Sequence, residues 1–225
     1  MKKFLRNAIL AGVILMFTSS ASAADISLPQ PKTSGGKVLF EVLHYRKSVR
    51  EFYDTALTRE QLSQILWAAN GTTYDKYSDR KGHVNPAAMG IYAVDVYAVM
   101  ADGIYLYQPD KHALKLIAAG DFRATTTLGQ DFVKVAPLNL VYVENVSAWE
   151  KSPRPINREH QIAFANVAAG TMAQSVALAA GAEDLGNCVR ASIDIKAFKR
   201  AAKLSSKQNV LLAQTVGDSP LVAKG

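Results

Sequence analysis

Arg46-Lys47-Ser48-Val49-Arg50 gathers three cations and a hydroxyl within five residues, a set able to clamp a phosphate. A guanidinium meets an oxyanion through two parallel N–H donors, and a hydroxyl can add another. The competing role is a solvated helix end, where cations offset the negative pole of the helix dipole. The other chemistry-bearing residue types are dispersed. Histidines 44, 83, 112 and 160 show no metal-ligand spacing, and Cys188 is the only cysteine. A zinc site, a CxxC redox pair and an intramolecular disulfide are therefore not expected. No histidine stands beside Cys188 in sequence, so it reads as a small core residue rather than a nucleophile. His160, at a helix start, reads as a cap or surface group.

The elements that must position these residues follow from periodicity and punctuation. Residues 38–46 place Leu39, Val42 and Leu43 at helical intervals, and the basic cluster lies where that helix ends. Thr58-x-x-Gln61 has the form of a capping box opening a helix over 59–69. Asn70-Gly71 closes it, as residues able to adopt positive φ should. Residues 72–86 read as a polar loop. The β-branched and aromatic run 91–100 predicts a strand buried on both faces. Tyr92 and Tyr97 cannot share a face of it, so at least one belongs to the core. Asp102-Gly103 is a hairpin turn leading into a strand over 104–107, and 114–117 adds a short third piece. A helix is expected over 121–128, a strand over 138–144 and a loop over 144–158. Residues 161–182 form a long alanine-rich helix whose interspersed polar residues favour a soluble core role over a membrane span. Gly170, Ala173 and Ala177 would let another helix approach closely. A strand over 187–192, a helix over 195–204 and a strand over 210–216 complete the chain. Helices and strands mix without strict alternation, which gives the α+β class.

The first 23 residues stand apart. Lys2, Lys3 and Arg6 precede the uncharged apolar run 8–17, and Ala21-Ser22-Ala23 supplies a small-x-small site. This is the layout of a secretory signal peptide, and the run is short for a bilayer span. Cleavage after Ala23 would leave 202 residues and lower the formal charge from +7 to +4. Residues 24–37, rich in Pro, Ser and Gly, read as a flexible linker, and 38–225 as a single domain. A modest, scattered basic excess suits anionic ligands without specifying nucleic acid. The expected site is the periplasm or the exterior, with no stable membrane span after cleavage.

Several segments resemble, in order, those of the FMN-dependent nitroreductase family. Arg46-x-Ser48-x-Arg50-x-Phe52 is similar to its N-terminal flavin-binding signature, and Leu66-Trp67-Ala68-Ala69-Asn70-Gly71 to the next helix end. Asn85-Pro86-Ala87-Ala88-Met89-Gly90, running into the strand through Tyr97, resembles a Pro-Ser-Ala-Gly segment. That version is typical of the subgroup containing azoline-oxidising peptide-maturation enzymes. The hairpin 103–107, Gly120-Asp121-Phe122-Arg123, Leu128-Gly129-Gln130, the helix through Gly170-Thr171-Met172, Asp184-Leu185-Gly186 and Val216-Gly217-Asp218-Ser219-Pro220 continue the series. The likeness spans residues 38–220.

The resemblance implies an intertwined α+β homodimer with FMN at the interface and contacts from both subunits. It places Arg46, Ser48 and Arg50 on the phosphate and ribityl chain. The Pro86, Ala87, Ala88 and Gly90 loop would reach the flavin from the other subunit. Ala191 and Ser192 would offer backbone amides near flavin N5, and no catalytic side chain is assigned. Three departures accompany it. The loop carries Ala87-Ala88-Met89 where a serine and a glycine are usual. Val189-Arg190-Ala191 replaces Pro-Val-Gly. The C-terminal phosphate-binding basic residues have only Lys224 as a counterpart. Two functions follow: an exported oxidoreductase working by ping-pong hydride transfer on a small molecule, or a non-catalytic FMN- or small-ligand-binding protein on a degenerate version of the fold. The loops 72–84 and 145–158, with Tyr74, Tyr77 and Trp149, are expected to shape the ligand pocket.

Overall fold

A computed structural model describes residues 23–74 and 81–222. The signal-peptide expectation over residues 1–22, Tyr77 and Lys224 lie outside the described residues.

The N-terminal stretch departs from the expected linker. Ile26–Ser27 form strand β1, paired antiparallel with residues 113–114, and Leu28 is buried in the main core. The reason is local chemistry: Asp25 accepts from the Leu116 amide at 2.8 Å, and Leu28 donates to the His112 carbonyl. Helix α1 (Leu39–Tyr45) follows. Helix α2 (Arg59–Asn70) opens with the expected capping box, Thr58 and Gln61 each satisfying the other's backbone N–H. Its end differs from expectation, because Gly71 has φ −65°. Glycine is needed there for room: a Cβ would collide with the Trp67 indole.

The expected loop over 72–86 contains a small hairpin, β2 (Thr72–Tyr74) with β3 (Lys81–His83). The large sheet then takes shape from β4 (Val94–Met100), β5 (Gly103–Gln108), β6 (Ala113–Ala119) and β7 (Leu138–Asn145). Between β6 and β7 only a short 3₁₀ turn, Arg123–Thr126, and α3 (Phe132–Val135) occur, so the expected helix over 121–128 is much reduced. Helix α4 (Arg158–Ala182), β8 (Gly186–Arg190), α5 (Ile195–Ala201) and β9 (Gln208–Gly217) complete the order. The seven-stranded sheet runs β1-β6-β5-β4-β7-β9-β8 with every pairing antiparallel.

Strand alternation divides the core in two. Val94, Val96 and Ala98 of β4 and Leu138, Leu140 and Tyr142 of β7 face α2 and α4. Tyr97, Val99, Val141 and Val143 face Phe198 of α5. Both faces of the central strands are therefore dry, as their continuous apolar runs required. Tyr97 is the core tyrosine; Tyr92 is half-buried and stacks on His83 with centroids 3.8 Å apart. Among the described residues α4 alone is long and apolar enough to cross a membrane. One of its faces, including Ala165, Ala169, Met172, Ala173, Val176 and Ala180, belongs to the main core. The result is a mixed α+β fold, a large antiparallel sheet flanked by helices.

Candidate functional site

Segment 46–50 is set by the burial of its neighbours. Val49 and Phe52 turn inward to join Ala136 in a small cluster, which leaves Arg46, Ser48 and Arg50 exposed. Ser48 forms a parallel bridge with Asn187, and the Val49 amide donates to the Asn187 carbonyl at 2.8 Å. The basic segment thus runs beside β8, toward Ala191 and Ser192. Two glycines permit this approach. A Cβ at Gly186 would lie 3.1 Å from Val49 Cγ1, and one at Gly217 would lie 2.5 Å from Pro137 Cδ and 3.3 Å from Phe52 Cδ1.

Arg46 and Lys47 line a cleft of about 510 Å³ between α1, the C-terminal half of α4 and the start of β8. Val42, Ala177 and Leu185 give it an apolar lining, to which Glu41 and Asn187 add polar groups. That volume is within the range of small-molecule and cofactor sites. Lys37 at the rim is paired with Asp184. Arg46, Lys47 and Arg50 have no carboxylate partner among the described residues, so their charge faces outward, available to an anion.

Ala191 and Ser192 follow β8 directly. The Ser192 hydroxyl donates to the Leu128 carbonyl, and the Leu128 amide donates back to the Ser192 carbonyl. The turn is therefore braced on the 123–128 segment, with Ala191 exposed. Beneath it lies Arg190, 4% exposed. Its guanidinium donates to Thr215 Oγ1, the Thr126 carbonyl and Asn139 Oδ1 at 2.9, 2.6 and 3.1 Å. Burial pushes its pKa down to about 10, so it remains a cation at neutral pH.

The 86–90 loop is held elsewhere. Asn85, 2% exposed, donates from Nδ2 to the carbonyls of Ala68 and Ala69 and accepts from Ser175 of α4 at 2.6 Å. This pins the loop between the end of α2 and the middle of α4. Pro86 and Gly90 are exposed, Ala87 and Ala88 half-buried. Met89, half exposed, sits at φ +54°, ψ +23°, followed by Gly90 at φ +67°. Among the described residues no hydrogen bond joins this loop to residues 46–50 or 191–192. Within a single subunit the basic segment meets β8 at Asn187, and the 86–90 loop is held by α2 and α4 instead.

Sequence reasoning did not single out Asn85 or Arg190 as organisers of the site. Asn85 stood in the motif before Pro86, but its carbonyl partners become neighbours only once α2 packs on α4. Trp149, expected to shape a ligand pocket, is buried in the core and donates to Glu144.

The Nitroreductase family model matches residues 43–218. The chain belongs to the nitroreductase family. A nitroreductase-type protein of Methanocaldococcus jannaschii is 32% identical over 158 residues, covering 66% of this chain and 75% of its own. A solved structure of a nitroreductase-type protein from Ralstonia eutropha JMP134 superposes with a TM-score of 0.79 at 32% identity, covering 98% of this chain and all of that one. A third, from Desulfovibrio desulfuricans and solved in complex with FMN, shares the nitroreductase fold, with a TM-score of 0.58 at 18% identity over 85% of this chain and 91% of that one.

Proposed function

We propose that this nitroreductase-family chain is an exported FMN-dependent oxidoreductase that acts as an intertwined homodimer on a small molecule. The observation that carries the assignment is the exposed basic segment Arg46, Lys47 and Arg50, without a carboxylate partner among the described residues and bridged to β8 through Ser48 and Asn187. Arg46 and Arg50 suit the phosphate, for which a guanidinium offers two donors, and the Ser48 hydroxyl suits the polar linker. Ala191 and Ser192 supply backbone amides for ring atoms that become electron-rich on reduction. Bound FMN would supply reversible hydride acceptance, alternating between a donor and an acceptor. The chain's own contribution is to hold the phosphate, orient the ring and exclude water.

The dimer accounts for surfaces that one subunit leaves open. Leu39, Phe40, Leu43 and Tyr45 of α1 are exposed, as are Ile162 and Val167 of α4. Gly170, beside them, has nothing within 4 Å of where a Cβ would stand. Exposed apolar side chains on two adjacent helices suit an obligate interface, and a second copy would bring its 86–90 loop toward the first copy's β8. Export implies a donor other than nicotinamide, whose reduced form is a cytoplasmic currency. The likeness of 85–97 to azoline-oxidising enzymes supports oxidation of a substrate with delivery of electrons to another acceptor. A non-catalytic flavin binder is the second reading, favoured by Met89 standing in a left-handed conformation where the family has glycine.

The test is an absorbance spectrum of residues 24–225 purified from the periplasm, followed by FMN titration and anaerobic reduction. Stoichiometric flavin that is reduced and reoxidised in turnover supports the enzyme. Bound flavin inert to every donor supports the binder, and a colourless chain that ignores FMN ends both. The mature N-terminus at Ala24, read by mass spectrometry, checks export.

A further inference from the structure

Among the described residues three charged side chains are buried: Arg123, Glu144 and Arg190. Two of them have a charged partner. Arg123 binds Asp121 and Asp54, and Glu144 takes both guanidinium nitrogens of Arg158. Arg190 has only neutral acceptors, a hydroxyl, an amide oxygen and a carbonyl, and no carboxylate pairs with it among the described residues. A lone cation removed from water is among the costlier features a fold can keep. Hydrogen bonds to neutral dipoles position such a charge but do not cancel it.

Its location gives the charge a use. Arg190 is the last residue of β8 and adjoins Ala191 and Ser192. Through Nη1 it holds the Thr126 carbonyl, two residues before Leu128, which is doubly bonded to Ser192. The guanidinium therefore ties the end of β8 to the 126–128 segment on which the turn rests, while Val189 of the same strand points outward. A charge fixed in a low-dielectric interior is weakly screened and needs no reorganisation when a counter-charge arrives.

We propose that Arg190 is a built-in counter-charge for an anionic flavin ring at the Ala191–Ser192 turn, making the protein bind reduced FMN more tightly than oxidised FMN. Two electrons and one proton added to the neutral oxidised ring leave a monoanion, the form Arg190 favours. The proposal rests on the flavin assignment above. Arg190 is a positioning residue, acting on the ring through the field it creates and the turn it supports.

The test compares FMN-loaded wild type with Arg190→Met, Arg190→Gln and Arg190→Lys by spectroelectrochemical titration. Dithionite serves as reductant in parallel binding measurements of oxidised and reduced FMN. The neutral variants are expected to lose at least tenfold in the ratio of reduced to oxidised affinity, a midpoint about 30 mV lower, and the lysine variant to keep most of it. A merely structural arginine would weaken both forms alike. Folded, loaded Met and Gln variants with a ratio within twofold of wild type overturn the proposal. If neither neutral variant folds, the wild-type protein decides: equal affinity for the two forms overturns the proposal, and at least tenfold preference for the reduced form supports it. A wild type that binds no FMN refutes the flavin assignment as well, whereas bound FMN with an unchanged ratio refutes the proposal alone.

Discussion

Met89 stands at φ +54° with its side chain half exposed, a conformation that costs an L-residue about 1–2 kcal/mol. Glycine would remove that strain and lose roughly half of the gain through its more flexible unfolded chain. Met89→Gly is therefore expected to stabilise the fold by about 0.5–1 kcal/mol, a rise of about 2 °C in Tm by differential scanning calorimetry. An unchanged or lower Tm would mean that the thioether makes contacts worth more than the strain. His112 raises a different question. Its Nδ1 lies 2.8 Å from the Tyr107 hydroxyl, and its Nε2 lies 2.7 Å from the Ser63 hydroxyl. Ser63 in turn donates to the Pro29 carbonyl, so Nε2 carries a proton, and the neutral ring accepts from Tyr107 at Nδ1. Burial lowers the pKa of His112, and that of His83, below the ordinary histidine value. The unfolded chain then binds protons first, so this stability is whole above about pH 6.5. It declines as pH falls from there toward the folded pKa. Urea unfolding at pH 7.5 and pH 5.5 should show the drop. His112→Asn, which tolerates the observed φ of +45°, should flatten it while lowering stability at pH 7.5.

Elements were legible where a local pattern dictated them. The Thr58/Gln61 box needs only three residues' separation, and it forms as expected. Helix α4 and the β4–β5 hairpin likewise follow from periodicity and an Asp-Gly turn. Less visible were the contacts that tie elements together. Glu144, with a 1% exposed side chain, receives Arg158 from the first turn of α4, Asn209 of β9 and the Trp149 indole. Burial alone would raise its pKa; those donors outweigh burial and hold the carboxyl below its usual range. Arg158→Met would leave a carboxylate buried with two neutral donors. Because Arg158 is itself 44% exposed in its side chain, a cost of about 2 kcal/mol is expected rather than the full penalty of a dry pair. Adding Glu144→Gln should recover part of it in a double-mutant cycle by urea unfolding. Simple addition of the two losses would argue against the pairing.

At the scale of the whole molecule, one subunit leaves apolar residues of α1 and of a strip of α4 uncovered, and among the described residues no hydrogen bond joins its 86–90 loop to β8. If a second copy covers those helices, Phe40→Asp with Leu43→Asp should convert a dimer to a monomer in light scattering after size exclusion. The same change should weaken FMN binding at least tenfold without greatly altering far-UV circular dichroism. A wild-type chain that is monomeric at micromolar concentration would remove the basis for a shared site, and a monomeric variant with full FMN affinity would place the whole site within one subunit.

The sequence by itself determined the α+β class, most elements and the basic segment 46–50, because each depends on the spacing of residues near one another in the chain. It also carried the order of motifs by which the family is recognised. Tertiary structure decided that residues 26–28 belong to the sheet and core, since an edge strand two residues long needs its partner to exist. It decided that Gly71 is required by the Trp67 ring and not by its own φ. Only the fold seats Asn85 beneath the 86–90 loop and encloses Arg190 with neutral partners. Burial and the pairing of charges come from residues far apart in sequence, and no local pattern encodes which of them will share a dry interior.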